Sequence, residues 1–258
     1  MNADLSISPV SAFKDNYIWT IHNKTHAVVI DPGDAGPVLA FLQKNSLDLS
    51  AILITHHHHD HVDGNAELVQ RYPVPVYGPA AEVIPCKTST VQEGNTIELK
   101  ELALSLHVAE VPGHTAGHVA YYADGMVFCG DTLFGCGCGR LFEGTPAQML
   151  ASLTKLAQLP RDTQVYCAHE YTLSNIAFAL TVEPGNALLH ARAAKDRDLI
   201  AHGNPTLPST IGLELDTNPF LRCHLPAVRN YVQLLSDQPP ETITEVFAKL
   251  RTLKNAFN

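Results

Sequence analysis

Histidine and aspartate crowd one short segment of the chain, His56-His57-His58-His59-Asp60-His61, directly after an apolar run typical of a buried strand. Side chains two residues apart face the same way on an extended chain but lie about 200° apart on a helix. His56 and His58 can therefore converge on one ion if the segment is extended. Asp60 and His61 are adjacent, so the chain must turn to aim both at one ion. A strand end leading into a loop supplies both conditions, unlike the helical H-E-x-x-H zinc motif, which needs a spacing of four.

Two ligands per ion complete neither centre, and other parts of the chain offer further ligands. His114 lies in the glycine-rich segment PGHTAGH, Asp131 follows an apolar strand in FCGDT, and His169 follows another in YCAHEY. A carboxylate has two oxygens and can bridge two ions, so Asp131 is the natural shared ligand. Each ion then has enough ligands. One ion takes His56, His58 and His114, the other takes Asp60, His61 and His169, and Asp131 is shared by both.

The pattern of elements indicates how these ligands are positioned. Short β-branched and aromatic runs predict strands at 17–21, 27–31, 51–55, 119–123, 126–130 and 163–169, and two more within 96–111. Helices are predicted at 36–45 and 63–72. Thr145-Pro146-Ala147-Gln148 is a capping-box pattern that predicts a helix start. Helical patterns dominate after about residue 171, at 172–181, 186–202, 226–236 and 241–255, and a loop is predicted at 203–220. The sequence thus predicts an α/β catalytic domain at 1–170 and a smaller helical domain at 171–258.

Several motifs resemble known proteins in their order along the chain. Thr55 to His61 matches the THxHxDH signature of the metallo-β-lactamase superfamily. The further motifs resemble glyoxalase II, the hydroxyacylglutathione hydrolases, over nearly the whole chain; they are FKDNYIW, PGHTAGH, GDTLFGCGCGRLFEG, YCAHEYTLSN, VEPGN, TNPFLR and RTLKNAF.

This resemblance implies a four-layer αββα sandwich followed by an all-helical C-terminal domain that binds substrate. It implies the seven metal ligands above, with a metal-bridging hydroxide held by Asp60 and Asp131 as nucleophile. It implies hydrolysis of S-(2-hydroxyacyl)glutathione, S-D-lactoylglutathione to D-lactate and glutathione, as the second step of methylglyoxal detoxification. The positions that match those holding glutathione are Arg140, Phe142, Tyr171, Arg251 and Lys254. Phe142 stands where some members have tyrosine. Arg251 and Lys254, three apart on a predicted helix, are expected to form a partly exposed positive rim with Arg140.

Composition excludes several classes of protein. The chain has 258 residues, 45% of them hydrophobic, and no apolar run approaches the ~18 residues of a membrane span. The net charge of −9 argues against nucleic acid or an anionic membrane surface as a partner. Six cysteines are too few for a disulfide scaffold, and no export signal is evident, so we expect reduced thiols and a cytoplasmic location. We separately expect a monomer.

Some alternatives stay open at this point. Five imidazoles and two carboxylates suit two divalent ions; Zn²⁺ is expected, with Fe or Mn as alternatives. A persulfide dioxygenase-like iron enzyme shares the scaffold, and a non-catalytic metal-binding protein is the rival from another class. His57 and His59 should point away from the ions, and His118 should support the site by hydrogen bonding. Asp31 is either a turn residue or an acceptor for a ligand histidine, and Cys136 and Cys138 are expected to be packed thiols.

Overall fold

A computed structural model of the chain describes residues 5–236 and 238–257. The chain divides into two compact units. The first comprises the residues up to Glu110 together with Thr115–Gly130, and the second comprises Val111–His114 together with the chain from Asp131 onward. The expected domain boundary at residue 170 stays a prediction.

The first unit contains a mixed sheet whose parallel strands carry the first ligand segment. Its strands are, in sheet order, β1 (Ser6–Ala12), β2 (Asn16–His22), β3 (His26–Ile30), β4 (Asp48–Leu53), β5 (Val76–Pro79) and β6 (Ser89–Val91). The first three pair antiparallel, whereas β3 to β6 pair parallel. Ile30 and Leu53 are register partners at the carboxyl ends of β3 and β4. Asp31 and the histidine segment therefore both follow the carboxyl ends of adjacent parallel strands, where open α/β sheets commonly bind their ligands.

Helices cover one face of this sheet. They are α1 (Ala35–Asn45), the four-residue α2 (His59–Val62) and α3 (Asn65–Arg71). The Asp34 side chain accepts from the Gly36 amide at the start of α1, which satisfies one of the free amides of the first turn. Val38, Leu42 and Leu68 are fully buried against strand residues such as Val29 and Ile52, and this apolar packing fixes the sheet beneath the ligand segment.

An antiparallel meander completes the first unit. Its strands are β7 (Thr96–Leu99), β8 (Leu104–Glu110), β9 (Val119–Ala123) and β10 (Met126–Gly130). The strands predicted at 119–123 and 126–130 are confirmed as β9 and β10, which pair antiparallel across Asp124-Gly125 to form a hairpin. The buried Tyr121 hydroxyl donates to the Ile54 carbonyl at 2.6 Å, which links β9 to the chain just after β4.

The second unit is mainly helical. Its strands are β11 (Leu133–Phe134), β12 (Gly137–Cys138), β13 (Gln164–Cys167) and β14 (Ser209–Thr210), and its helices are α4 (Pro146–Leu156), α5 (Thr172–Val182), α6 (Ala187–Ala201), α7 (Ile211–Thr217), α8 (Pro226–Leu234) and α9 (Ile243–Ala256), with a 3-10 turn at Pro219–Leu221. The predicted capping box is confirmed, since Thr145 and Gln148 exchange side-chain-to-backbone hydrogen bonds at the start of α4. Within the described residues, no helix is both long and apolar enough to span a membrane.

The prediction of a plain loop at 203–220 was wrong. This segment contains β14, α7 and the 3-10 turn. Thr210 caps α7 by accepting from the Leu213 amide, and the fully buried Glu214 of α7 pairs with Arg192 at 2.7 Å. The order of this segment depends on Arg192 of α6, and the amino-acid composition of residues 203–220 does not reveal that partner.

Candidate metal centre

The first ligand pair lies just beyond the end of β4. His58 has extended backbone angles, φ −63° and ψ 146°, as the two-residue spacing requires. The Nε2 atom of His56 and the Nδ1 atom of His58 lie 3.1 Å apart. The Nδ1 atom of His56 lies 3.0 Å from the Thr55 hydroxyl. Two imidazoles thus present nitrogens to one point while Thr55 fixes the ring of the buried His56.

Asp60 and His61 follow in the short helix α2, where a loop was expected. The helical turn brings their side chains together, with His61 Nε2 3.5 Å from Asp60 Oδ2. Asn16 donates from Nδ2 to the same Asp60 oxygen at 2.9 Å, which holds the carboxylate in place. No role for Asn16 follows from the sequence, because nothing local to FKDNYIW indicates a contact 44 residues away.

Asp31 supports His61. Its Oδ2 atom lies 3.1 Å from His61 Nδ1, and both side chains are almost wholly buried. Asp31 also accepts from the backbone amide and the hydroxyl of Thr55, each at 2.7 Å. Its two oxygens therefore already serve donors of the chain, although Asp31, His56 and His61 together have ligand atoms within 4.8 Å of one another. A carboxylate at Nδ1 leaves Nε2 of His61 as the nitrogen available to a metal.

In the second unit, Asp131 lies between two histidines. Its Oδ2 atom is 3.3 Å from His114 Nε2, and its Oδ1 atom is 3.4 Å from His169 Nε2. All three residues are buried. His114 Nδ1 donates to the Arg140 carbonyl at 2.8 Å, so the lone pair of this imidazole is on Nε2, beside Asp131. The division of the two oxygens between two imidazoles is the arrangement that a bridging carboxylate needs.

Two aromatic rings flank these histidines. The Tyr171 ring stacks on His169 with centroids 4.8 Å apart and planes 2° apart. The Phe142 ring meets His114 edge-on at 5.2 Å. Phe142 is 63% exposed and Tyr171 38% exposed, so both rings present surface to a ligand.

Three cations cluster in the same unit. Burial, together with the positive charges of Arg251 and Arg140, lowers the pKa of Lys254 to about 8. Cations held this close together repel one another in the free protein, and an anionic ligand would relieve that repulsion. The Lys254 ammonium lies 3.1 Å from the Ser174 hydroxyl and over the rings of Phe178 and Phe257.

The expectation that Arg251 belongs to an exposed rim was wrong. Arg251 and Lys254 do share one face of α9, but Arg251 is only 5% exposed. Its Nη1 atom donates to the Cys138 carbonyl at 2.7 Å, and its guanidinium lies 5.0 Å from the centre of the Phe220 ring. The planar guanidinium can hydrogen-bond the backbone and stack on an aromatic ring at once, which a lysine ammonium cannot, and these two contacts keep Arg251 buried.

The remaining candidates have supporting positions. His57 Nδ1 lies 3.0 Å from Glu82, and the exposed His59 lies 3.1 Å from Asp63. His118 is fully buried and stacks on His56, with centroids 4.6 Å apart.

Cys136 and Cys138 are buried free cysteines, as expected of packed thiols. Burial raises the pKa of Cys136 to about 12 and also raises the pKa of Cys138, so both thiols stay protonated and are poor metal ligands.

The donor sets suit a divalent metal. The first unit offers three imidazoles and a carboxylate, and the second offers two imidazoles around a carboxylate whose oxygens are divided between them. Carboxylates or carbonyls orient His61 and His114 through Nδ1, which is the usual support of metal-bound histidine. Nitrogen and oxygen donors of this kind suit zinc, iron or manganese.

Comparison with known proteins is consistent with this chemistry. A family model described as metallo-beta-lactamase superfamily matches residues 14–169, and one described as hydroxyacylglutathione hydrolase C-terminus matches residues 170–257. A hydroxyacylglutathione hydrolase of Cupriavidus taiwanensis is 56% identical over 265 residues, covering 98% of this chain and 99% of its own. That of Nitrosomonas eutropha is 51% identical over 253 residues, covering 98% and 99%.

Solved structures show the same fold at lower identity. The crystal structure of ETHE1 from Myxococcus xanthus has a TM-score of 0.65 at 23% identity and covers 98% of this chain and 99% of its own. The BLEG-1 B3 metallo-beta-lactamase has a TM-score of 0.63 at 23% identity, covering 84% and 99%. TTHA1623, solved in a di-iron-bound form, is 29% identical with a TM-score of 0.59, covering 83% and 100%.

Proposed function

Because the chain belongs to the hydroxyacylglutathione hydrolase family of the metallo-β-lactamase superfamily, we propose that it hydrolyses S-(2-hydroxyacyl)glutathione thioesters. The physiological substrate is S-D-lactoylglutathione, which yields D-lactate and glutathione in the second step of methylglyoxal detoxification. The observation that carries the proposal is the Asp131 carboxylate, whose two oxygens face the Nε2 atoms of His114 and His169.

The seven predicted ligands hold two divalent ions in this proposal. One ion takes His56, His58 and His114, the other takes Asp60, His61 and His169, and Asp131 serves both. Zinc is the proposed metal, because imidazole and carboxylate suit it and it needs no redox change for hydrolysis. The di-iron form of TTHA1623 makes iron the first alternative to test.

When bound, the two ions supply positive charge for the thioester carbonyl oxygen and lower the pKa of the attacking water. The side chains of the chain position the reacting groups. Asp60 and Asp131 provide carboxylate oxygens that can accept hydrogen bonds from that water. Asn16 and Asp31 hold Asp60 and His61 in place.

The chain needs no nucleophilic side chain and no strong general acid. Attack on the carbonyl carbon expels a thiolate, and a thiol of pKa about 8.5 is a good leaving group near neutral pH. The buried Cys136 and Cys138 are held protonated and have no part in this step.

The cation cluster is the proposed anchor for glutathione, which carries two carboxylates and one ammonium. The exposed Arg140 and the half-buried Lys254 provide charge that a ligand can reach, and the buried Arg251 adds to the local positive field. Tyr171 offers a hydroxyl donor beside His169, whereas Phe142 contributes ring surface without the hydroxyl of a tyrosine. In this proposal residues 1–170 are the catalytic domain and residues 171–258 the substrate-binding domain of a cytoplasmic, monomeric enzyme.

Metal analysis of the purified protein, paired with hydrolysis of S-D-lactoylglutathione, tests the proposal. We expect two ions per chain and turnover that is lost with a chelator and restored by Zn²⁺. Oxygen uptake with glutathione persulfide is the control for the dioxygenase alternative and should be absent. A protein that holds metal but cleaves no glutathione thioester would refute the proposed function.

A further inference from the structure

Glu82 is a buried carboxylate that belongs to none of the ligand or substrate sets above. It lies beyond the end of β5, and its side chain is only 3% exposed. Lys87 holds the backbone around it, since Nζ donates to the carbonyls of Pro79 and Glu82 at 2.7 and 2.6 Å. The backbone at Glu82 is therefore held by contacts within its own segment, independently of the contacts that its side chain makes.

The Glu82 carboxylate receives hydrogen bonds from two separate segments of the first unit. Its Oε1 atom accepts from the Thr115 hydroxyl and from the Gly117 amide, the latter at 3.1 Å. Its Oε2 atom lies 3.0 Å from His57 Nδ1, which donates to it. A buried carboxylate is costly without such donors, and three donors satisfy it.

These contacts occur next to proposed ligands in the sequence. His57 is the residue between His56 and His58, and Thr115 follows His114 directly. Gly117 permits the close approach, because a Cβ atom there would lie 2.6 Å from Cγ of Glu82. One side chain thus fixes the peptide between two proposed ligands and the peptide that leaves the third.

We propose that Glu82 is a positioning residue for the ion assigned to His56, His58 and His114; this inference rests on the proposed function. Glu82 touches neither the ion nor the substrate. It fixes the backbone next to the three histidines and so their orientation. It does this through His57 for His56 and His58, and through Thr115 and Gly117 for His114. Groups bonded directly to a metal ligand typically change metal affinity or activity by about 10- to 100-fold when removed, and Glu82 acts on the ligands through the residues next to them.

Chelator competition measures the effect on each ion in Glu82→Ala, with Zn²⁺ as the probe. We expect one of the two ions to bind roughly 10- to 100-fold more weakly while the other is unchanged. The visible spectrum of the Co²⁺-loaded protein should change in the same variant, because the geometry of one centre is altered. Glu82→Gln keeps an acceptor for Thr115 and Gly117 and should restore most of the affinity.

Glu183→Ala is the matched control. Glu183 is also buried, and it accepts from Arg222 at 2.7 and 3.0 Å, but it contacts no residue adjacent to a proposed ligand through those bonds. It should lower the thermal midpoint of the metal-free protein without changing Zn²⁺ affinity or the Co²⁺ spectrum.

Unchanged affinity for both ions in Glu82→Ala would overturn the inference and leave the proposed function standing. Equal loss of affinity in Glu82→Ala and Glu183→Ala would also overturn it, since general destabilisation would then be the cause. An unmutated protein that binds no divalent metal would refute the proposed function and this inference with it.

Discussion

Replacing Arg251 and Lys254 separately should show that these two cations have different roles. The Arg251 guanidinium is buried, donates to the Cys138 carbonyl at 2.7 Å and lies 5.0 Å from the Phe220 ring centre. The Lys254 ammonium makes exposed contacts with Ser174 at 3.1 and 3.3 Å. We therefore expect Arg251→Ala to affect mainly the stability of the fold, and Lys254→Ala to affect mainly substrate binding.

The magnitudes follow from these contacts. Arg251→Ala removes a charged hydrogen bond and leaves a buried carbonyl without it, which costs about 1.5–3 kcal/mol. Loss of the cation–π contact adds roughly 0.5–2 kcal/mol. The free energy of unfolding should thus fall by about 2–5 kcal/mol, a large part of the ~5–15 kcal/mol of a typical domain. Lys254→Ala should change it by about 1 kcal/mol or less, because Lys254 is only half-buried and its contacts with Ser174 and with the Phe178 and Phe257 rings are partly exposed.

Substrate binding should show the opposite order. The loss of one partly exposed charged contact with a glutathione carboxylate corresponds to about 1.4 kcal/mol, or a tenfold increase in KM for Lys254→Ala. The kcat should change much less, because a contact remote from the thioester binds the ground and transition states about equally. A neutral thioester without the glutathione carboxylates should show no such increase, and added salt should imitate the effect in the unmutated protein.

Urea unfolding followed by circular dichroism, together with steady-state kinetics on S-D-lactoylglutathione, measures both quantities. The metal content of each variant should be checked first, so that loss of an ion is not mistaken for loss of a contact. If Arg251→Ala unfolds at the same urea concentration as Lys254→Ala, the buried contact with Cys138 does not stabilise the fold. If Lys254→Ala keeps its KM, the cation cluster does not anchor glutathione.

Three further outcomes are expected. Asp131→Ala should lose both ions by elemental analysis; retention of two ions in Asp131→Ala would contradict the bridging assignment. His57→Ala should still keep two ions at saturating metal, because His57 is no ligand and its loss removes only one of the three donors to Glu82. Acidification should remove metal and activity in parallel, because ligation needs neutral imidazole, and a flat rate profile from about pH 5 to 8 with full metal content would contradict this. Because burial and its cationic neighbours lower the pKa of Lys254 to about 8, the protonated form that attracts carboxylates is lost as the pH rises through that value. The Kd of a non-hydrolysable S-alkylglutathione, measured by calorimetry, should therefore increase from pH 7 to 9, and this increase should be absent in Lys254→Arg.

Some ligand geometry could be predicted from the sequence because it depends on neighbours in the chain. The spacing of His56 and His58 requires an extended segment, and the backbone there is extended. Thr145 and Gln148 form their capping box within a single turn. Local periodicity likewise predicts most helices and strands, since each depends on the repeat of apolar residues along one segment.

Contacts between distant segments could not be predicted in this way. The capping pattern at Thr210 is local, yet α7 was missed because it forms around Glu214, whose partner Arg192 lies 22 residues earlier. The support of Asp60 by Asn16 spans 44 residues, and that of Thr115 by Glu82 spans 33.

The sequence by itself determined which residue types and spacings could form a metal centre, because side-chain direction along a short segment is a property of the backbone. The tertiary structure alone decided which cation is buried. A three-residue spacing on α9 gives Arg251 and Lys254 the same helical face, but only the fold brings the Cys138 carbonyl and the Phe220 ring to one of them. Burial depends on partners from other parts of the chain, and a helical repeat carries no information about them.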